Sequence, residues 1–220
     1  AFDLLSLYYG LQIQLAVYMN AALELLKREN PGKEVIPAGI LYYNIDDPFV
    51  DKGSQIEDAI LKELKLNGIV NSSKEVIEHL DKDFYTEGEG LRPSVKSSVI
   101  PVETNKDGYP TKRSSVVGTE KLYALEEYVN SVIYRYGKKI MEGAADIKPY
   151  QMGKRRACDF CQYQGICGFD TKVDGFSYQN LAALSNDEVW EKIVNRKDGK
   201  KEEKEGGQGD AMDERTTESY

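Results

Sequence analysis

Three cysteines in the stretch Cys158-Asp159-Phe160-Cys161-Gln162-Tyr163-Gln164-Gly165-Ile166-Cys167 constrain this chain more than any other feature, because they are all the cysteines it has. A C-x2-C turn lets two thiolates reach one centre, and a five-residue gap bent at Gly165 returns a third. That is the donor pattern of thiolate-bound zinc and iron–sulfur sites. Three ligands are one short of the usual four. The fourth has to come from another part of the fold, from the single histidine His79, from an exogenous ligand, or from sequence outside these 220 residues. Two other readings stand beside this one: a Cys158–Cys161 disulfide that leaves Cys167 over, or three buried thiols with no common task. The odd count and the tightness of the cluster weigh against both.

Around the cluster, hydrophobic periodicity predicts a helix-rich α/β chain of the mixed α+β kind. Residues 4 to about 29 read as one helix, with Leu11, Leu15, Tyr18, Ala22 and Leu25 at three- and four-residue steps and Asn30-Pro31-Gly32 as its stop. On it Gln14 and Tyr18, four apart, share one face. Val35 to Ile45 reads as a mostly buried strand closed by Asp46-Asp47-Pro48, and Asp46, Asp47 and Asp51 read as turn formers rather than metal ligands. Two short helices follow, opened by the capping boxes Ser54–Glu57 and Ser72–Glu75. The first stops at Asn67-Gly68; the second buries Val76, Ile77 and Leu80 and leaves His79 on the surface.

From Phe84 to Gly118 glycine and proline break any helix. The stretch reads as a long exposed loop, in which Val95 to Thr104 and Ser114 to Val117 could pair around an Asn105-Lys106-Asp107-Gly108 turn. Thr119 to about Met141 is the clearest helix, ended by Gly143, and Ile147 to Tyr150 then runs extended into the cysteines. A third capping box, Ser185–Glu188, starts a short helix carrying Val189, Trp190, Ile193 and Val194. Residues 196–220 are polar, mixed in charge and glycine-rich, and are expected to be disordered.

Charge and motif content exclude much. The net charge of −8 rules out a uniformly basic nucleic-acid coat. It leaves room for a local strip, and Lys148, Lys154, Arg155 and Arg156 stand together just before Cys158, as a solvated loop or as phosphate contacts. There is no phosphate-binding glycine loop, no nucleophile elbow and no convincing pair of acids for metal-assisted hydrolysis. No run of about 18 apolar residues is present, and the expected compartment is the cytoplasm. The chain opens on Ala1 directly into helical sequence, so its natural start is expected to lie further upstream.

The stretch Phe2-Asp3-Leu4, the run from Tyr8 to Tyr18, the long helix, and the C-x2-C-x5-C ending in Gly168-Phe169-Asp170 together resemble the C-terminal nuclease domain of the AddB family. These are RecB-like PD-(D/E)XK nucleases that work in a bacterial helicase–nuclease. The resemblance covers roughly residues 2 to 194. It implies that residues 1–147 are the later part of a restriction-endonuclease-like core, 148–170 the cysteine segment and 171–195 a closing helix. It implies that Gln14 and Tyr18 lie beside the nuclease centre, and that Cys158, Cys161 and Cys167 ligate a [4Fe–4S] cluster whose fourth cysteine lies far upstream. In that arrangement the cluster ties the C-terminal segment back to the start of the domain and supports binding of DNA ends rather than electron transfer.

The resemblance further implies Mg²⁺-dependent DNA exonuclease activity in the parent protein and an AddA-like helicase partner, while Lys154, Arg155 and Arg156 stand as candidate DNA contacts on their charge alone. The family's metal-binding acids and lysine stand just before the Gln-x-x-x-Tyr helix and have no counterpart here. The isolated chain is therefore expected neither to hold Mg²⁺ nor to cut DNA. A stand-alone zinc- or cluster-stabilised binding module, and a CRISPR-associated RecB-like nuclease, are the alternatives that the residues leave open.

Overall fold

A computed structural model of the chain describes residues 2–43 and 56–205. Its first helix is short because Gly10 interrupts it. Asp3 caps α1 (Leu4–Tyr8) by accepting from the Leu5 amide at 3.1 Å, and the chain then turns through Gly10 at φ +79° before α2 (Gln14–Glu29) begins. The single helix expected over residues 4–29 is thus two. A left-handed residue is cheap only as glycine, and a Cβ at Gly10 would already touch the Tyr136 ring at 3.4 Å. At the far end Asn30 closes α2 through its side chain on the Leu26 carbonyl, 3.1 Å away, which is the stop that the sequence predicts.

The sheet behind α2 is small and mixed. β1 (Gly39–Tyr42) runs antiparallel to β2 (Asn67–Asn71), and β2 runs parallel to β3 (Val116–Val117), in the order β1-β2-β3. The central strand is the element that sequence reading misses, because Asn67-Gly68 looks like a helix stop and the apolar run after it is only Ile69-Val70. Gly68 is in fact required by strand pairing: at φ +153°, a Cβ there would lie 2.0 Å from the Ile40 carbonyl oxygen of β1. The strand expected over Val35–Ile45 is shorter than read, and only Ile40 is buried within it.

α3 (Ile56–Glu63) precedes β2; Ser54 and the acids Asp46, Asp47 and Asp51 lie outside the described residues. α4 (Lys74–Leu80) follows β2, but its expected Ser72–Glu75 capping box does not form. Ser73 takes the cap position without a side-chain bond, and the Ser73 amide instead donates to Asn71 Oδ1 at 2.9 Å. Asn71 is fully buried. Its Nδ2 donates to the Pro37 carbonyl at 2.8 Å and to Thr119 Oγ1 at 2.9 Å, so one side chain joins the entry to β1, the start of α4 and the start of the long helix. A buried amide with this many partners fixes geometry that a surface serine cannot.

The region from Phe84 to Gly118 is not an exposed loop. Phe84, Leu91, Ile100 and Val102 are buried with Val70 and Ile77 in a second core beneath the sheet. The turn at Asn105–Gly108 forms as expected, with Thr104 bridging Pro110 across it. The partners differ, however, since Val116–Val117 pairs with β2 and residues 95–104 fold back on themselves through Lys96 and Glu103. Irregular backbone with an apolar residue every few positions has no period to read, which is why periodicity does not reveal this core.

The main core lies between α1, α2, α5 (Thr119–Met141) and α7 (Asn186–Glu205), closed by Ile40 and Ile69 from the sheet. Leu7, Ala16, Leu125, Val129 and Val189 are among its fully buried members. Asn20 on α2 crosses to α5, donating to the Glu126 carbonyl at 3.1 Å and to Asn130 Oδ1 at 3.0 Å. The Ser185–Glu188 box that opens α7 forms in full: Glu188 Oε2 accepts from the Ser185 amide and hydroxyl, and the Glu188 amide donates back to Ser185 Oγ. Those bonds hold the Glu188 carboxyl below its ordinary pKa. The fold is mixed α+β as the sequence predicts, and among the described residues no helix is long and apolar enough to cross a membrane.

Candidate functional site

Gln14 and Tyr18 sit on the first two turns of α2, on its solvent side. Gln14 Nε2 donates to the Tyr18 hydroxyl at 2.8 Å, as their i, i+4 spacing allows, and the Tyr18 ring is 58% exposed. Because the phenol oxygen accepts from the amide, its own proton stays free to be donated to an incoming oxygen. Tyr18 stands at the mouth of an apolar cleft of about 410 Å³ between α2 and β1. β1 is the edge of its sheet among the described residues, and its Gly39, Ile40 and Leu41 line the same cleft as Tyr18.

The cysteine segment is built differently. β4 (Tyr150–Met152) pairs antiparallel with β5 (Arg155–Arg156) and parallel with β6 (Gln179–Asn180), a three-stranded scrap of sheet with no apolar face. Cys158 and Cys161 lie on the turn after β5, where the Cys161 amide bonds the Cys158 carbonyl at 3.3 Å. Cys167 ends the single-turn α6 (Gln164–Cys167), and Gly168 turns the chain out of it at φ +70°. A side-chain hydrogen bond with Cys158 is the main cause of the raised pKa of the Tyr178 phenol, with desolvation second and Arg156 opposing both. Phe169 packs edge-on against Phe176 and Tyr178, with centroids 5.5 and 5.0 Å apart.

The three cysteines are unbridged in this structure, and none of them is buried, which goes against the buried-thiol reading. Among the described residues no three His, Cys, Asp or Glu side chains converge tightly enough to hold a metal ion. The acid nearest in sequence to the Gln14–Tyr18 pair on α2 is Glu24, which pairs with Arg28 on the exposed face of the helix. For an iron–sulfur cluster the donor chemistry does fit. The three thiols are unbridged and follow one another on a turn and a single helical turn, in a stretch held by a small sheet and a cluster of rings rather than by a buried core. From Ile133 to Glu188 not one side chain is buried. A segment without a core needs a crosslink or a metal to hold one conformation.

Lys154, Arg155 and Arg156 are all exposed, with Arg155 and Arg156 forming β5 itself. Arg156 lies over the Tyr178 ring at 5.8 Å, so the basic strip and the Cys158 environment are one surface. His79 is exposed on α4, distant in the fold's connectivity from the cysteines, and its Nδ1 meets the Glu75 carbonyl at 2.6 Å; it supplies no fourth ligand in this structure. The structure thus brings Gln14 to Tyr18 and the arginines to Cys158, and keeps the two sites on separate elements. Tyr178 and Asn71 are the residues that sequence reading misses. Neither belongs to a motif, and only their tertiary partners give them a role.

The chain is similar to several curated proteins, each named as one subunit of an ATP-dependent helicase/deoxyribonuclease. It is 51% identical over 193 residues to the one from Lachnoclostridium phytofermentans, a match covering 88% of this chain and 17% of that protein. The Clostridium tetani protein is 40% identical, over 86% of this chain and 16% of its own length. That of Clostridioides difficile is 37% identical, over 85% and 16%. The chain therefore spans about one sixth of the length of these relatives. The family profile described as the PD-(D/E)XK nuclease superfamily matches residues 1–168, from before α1 to just past the third cysteine. With three quarters of its length matched by that profile, this chain belongs to the PD-(D/E)XK nuclease superfamily.

Proposed function

We propose that the chain is the C-terminal portion of a bacterial ATP-dependent helicase–deoxyribonuclease subunit that processes double-strand DNA ends for recombinational repair in the cytoplasm. The observation that carries this is the 51% identity over nearly the whole chain to a protein of that name. In this reading Gln14 and Tyr18 are positioning residues beside a nuclease centre whose metal-binding acids belong to the preceding part of the domain. The cation there is Mg²⁺, which polarises water and the phosphodiester when bound. Tyr18, held by Gln14 Nε2, keeps its proton for a phosphate oxygen.

Cys158, Cys161 and Cys167 supply three of four thiolates to a [4Fe–4S] cluster, with the fourth from upstream. When bound, the cluster acts as a crosslink between the ends of the domain. Lys154, Arg155 and Arg156 then lie where DNA entering along this surface meets positive charge. The partner is an AddA-like helicase, in a heterodimer.

The test is exonuclease activity on linear duplex, with ATP and Mg²⁺, of the whole protein in complex with its helicase partner. Gln14→Ala and Tyr18→Phe should each lower kcat by about 10- to 100-fold, the scale for a mispositioned substrate group. Replacing Lys154, Arg155 and Arg156 by glutamine should weaken DNA binding and flatten its salt dependence. The isolated chain should not cut. An intact assembly that leaves linear duplex untouched would remove the reading.

A further inference from the structure

The three short strands beside the cysteines set Tyr178 against Cys158, although twenty residues of irregular chain separate them. β4 pairs antiparallel with β5, Gln151 opposite Arg156, and the Ala157 amide bonds the Tyr150 carbonyl at 3.0 Å. The next residue, Cys158, therefore stands opposite Pro149. β4 also pairs parallel with β6, Tyr150 beside Gln179, and the Gln179 amide bonds the Pro149 carbonyl at 2.9 Å, which puts Tyr178 beside Pro149 on its other flank. Cys158, Pro149 and Tyr178 thus form one row across the sheet, and a row shares one face. Its ends are two strand spacings apart, about 10 Å between backbones. A tyrosine side chain reaches most of that way.

Two contacts show that Tyr178 leans along this row. Arg156 precedes Cys158 by two residues and so shares its face, and its guanidinium lies 5.8 Å from the Tyr178 ring centroid. The hydrogen bond with Cys158 is the largest cause of the raised Tyr178 pKa, the direction expected when the phenol is the donor and the sulfur the acceptor. Both partners are held in place. Phe169 meets the Tyr178 ring edge-on at 5.0 Å and Phe176 at 5.5 Å, and the three rings are half-buried in a stretch that is otherwise mostly exposed. The Cys158 carbonyl accepts from the Cys161 amide and from Gln164 Nε2, which fixes the backbone behind the thiol.

We infer that Tyr178 is a positioning residue for the cysteine centre: its hydroxyl donates to Cys158 Sγ, aims that sulfur, and draws charge from it when a cluster is bound. A hydrogen bond to a ligand sulfur favours the more negative, reduced form of an iron–sulfur cluster and so raises its potential. Partners that hold a ligand from behind also slow the loss of what it binds. The hydroxyl is the working part, because a phenylalanine would pack against Phe169 and Phe176 equally well and offer no proton. The inference rests on the reading above that the three cysteines ligate a cluster, and it adds a residue outside the cysteine motif that orients and tunes one of them.

The test uses the whole protein with its helicase partner, purified without oxygen, as parent, Tyr178→Phe and Tyr178→Leu, with circular dichroism as the check on folding. Two quantities are read: the midpoint of a mediated redox titration followed by cluster absorbance, and the rate at which bathophenanthroline disulfonate extracts the iron. Tyr178→Phe should move the midpoint to a more negative potential and speed iron loss by about tenfold, the lower end of the range for a lost partner behind a ligand. Failure of that variant to retain a cluster that the parent holds, at parental circular dichroism, is the same loss in a stronger form. Tyr178→Leu should do at least as much. A Tyr178→Phe protein with the parental midpoint and the parental rate would overturn the inference, whatever Tyr178→Leu does, because the ring would then act by packing alone. That result would leave the cluster reading standing, whereas a parent protein that carries no cluster would remove the cluster reading and the inference with it.

Discussion

The helical body and the cysteine segment are made from the same chain by different forces. In the body, α5 alone buries Leu122, Leu125, Val129 and Val132, while from Ile133 to Glu188 the structure buries no side chain at all. The change falls in the middle of one helix. The apolar period of α5 continues through Tyr136 and Ile140, yet Ile140 is 74% exposed, because α1, α2 and α7 cover only the first half. Periodicity thus states which residues could face a core, and only packing decides which do. The lesson for the cysteine segment is that its order has to come from bonds or bound groups rather than from burial.

The largest expected effect breaks or confirms this contrast directly. Leu125→Ala removes a fully buried side chain between three helices and should cost about 3 kcal/mol in urea unfolding. Phe160→Ala, equally drastic in chemistry, should change stability by less than about 0.5 kcal/mol, because the ring touches solvent on all sides. Equal losses at the two positions would show that the segment has a core after all.

Asn71 sharpens the comparison within the body. Asn71→Ala leaves the Pro37 carbonyl and the Ser73 amide without their partner in a dry site, and should cost about 2 kcal/mol. Ser72→Ala should cost almost nothing, although the sequence marks Ser72, and not Asn71, as the cap. The measurement is again the urea midpoint of the two variants.

These cases show how much was legible. Long elements with clear ends were: α5 from Thr119 to Met141, the stop at Asn30, and the Ser185–Glu188 box all follow local rules and form as read. The Gln14–Tyr18 pair was legible for the same reason, being four residues apart on one helix. What was lost depends on partners remote in sequence. β2 is a central strand only because β1 and β3 flank it, the 84–118 core is closed by Val70 and Ile77 from outside that region, and Gly10 ends a helix in favour of packing against Tyr136. The cysteine pattern was legible as chemistry and silent as structure.

Alkaline pH distinguishes the regions at a smaller scale. Burial, followed by the neighbouring Tyr8, pushes the Tyr128 phenol up to about 12, with Arg135 and Arg196 opposing the shift. Burial also raises Tyr9 and Tyr123. A phenol raised in the folded state contributes fully below its ordinary pKa of about 10. Above that the unfolded chain releases its proton first, so stability should fall as pH rises from about 10 to 12. Screening by solvent and by the two arginines holds the Tyr128 share to roughly 1 kcal/mol. Tyr128→Phe should flatten the decline in that window and leave the pH dependence below 9 unchanged, as read from urea midpoints across pH.

The smallest effect on stability is expected at the cysteines themselves, and it is the most telling about how the segment is held. Cys161→Ser in the isolated chain removes a half-exposed thiol from a turn whose hydrogen bonds are made by backbone, so the urea midpoint should stay within about 0.5 kcal/mol of the parent. Trypsin should cut both proteins first after Lys154, Arg155 and Arg156, on a strand pair that has no buried neighbour, while α5 between Leu122 and Val132 stays protected. In the whole protein the same substitution should have a large local effect. If a cluster crosslinks the segment, the intact protein purified without oxygen should resist trypsin at Lys154–Arg156 and carry visible charge-transfer absorbance, and Cys161→Ser should abolish both together. Resistance that survives the loss of absorbance would mean that protein contacts, and not thiolate ligation, order the segment.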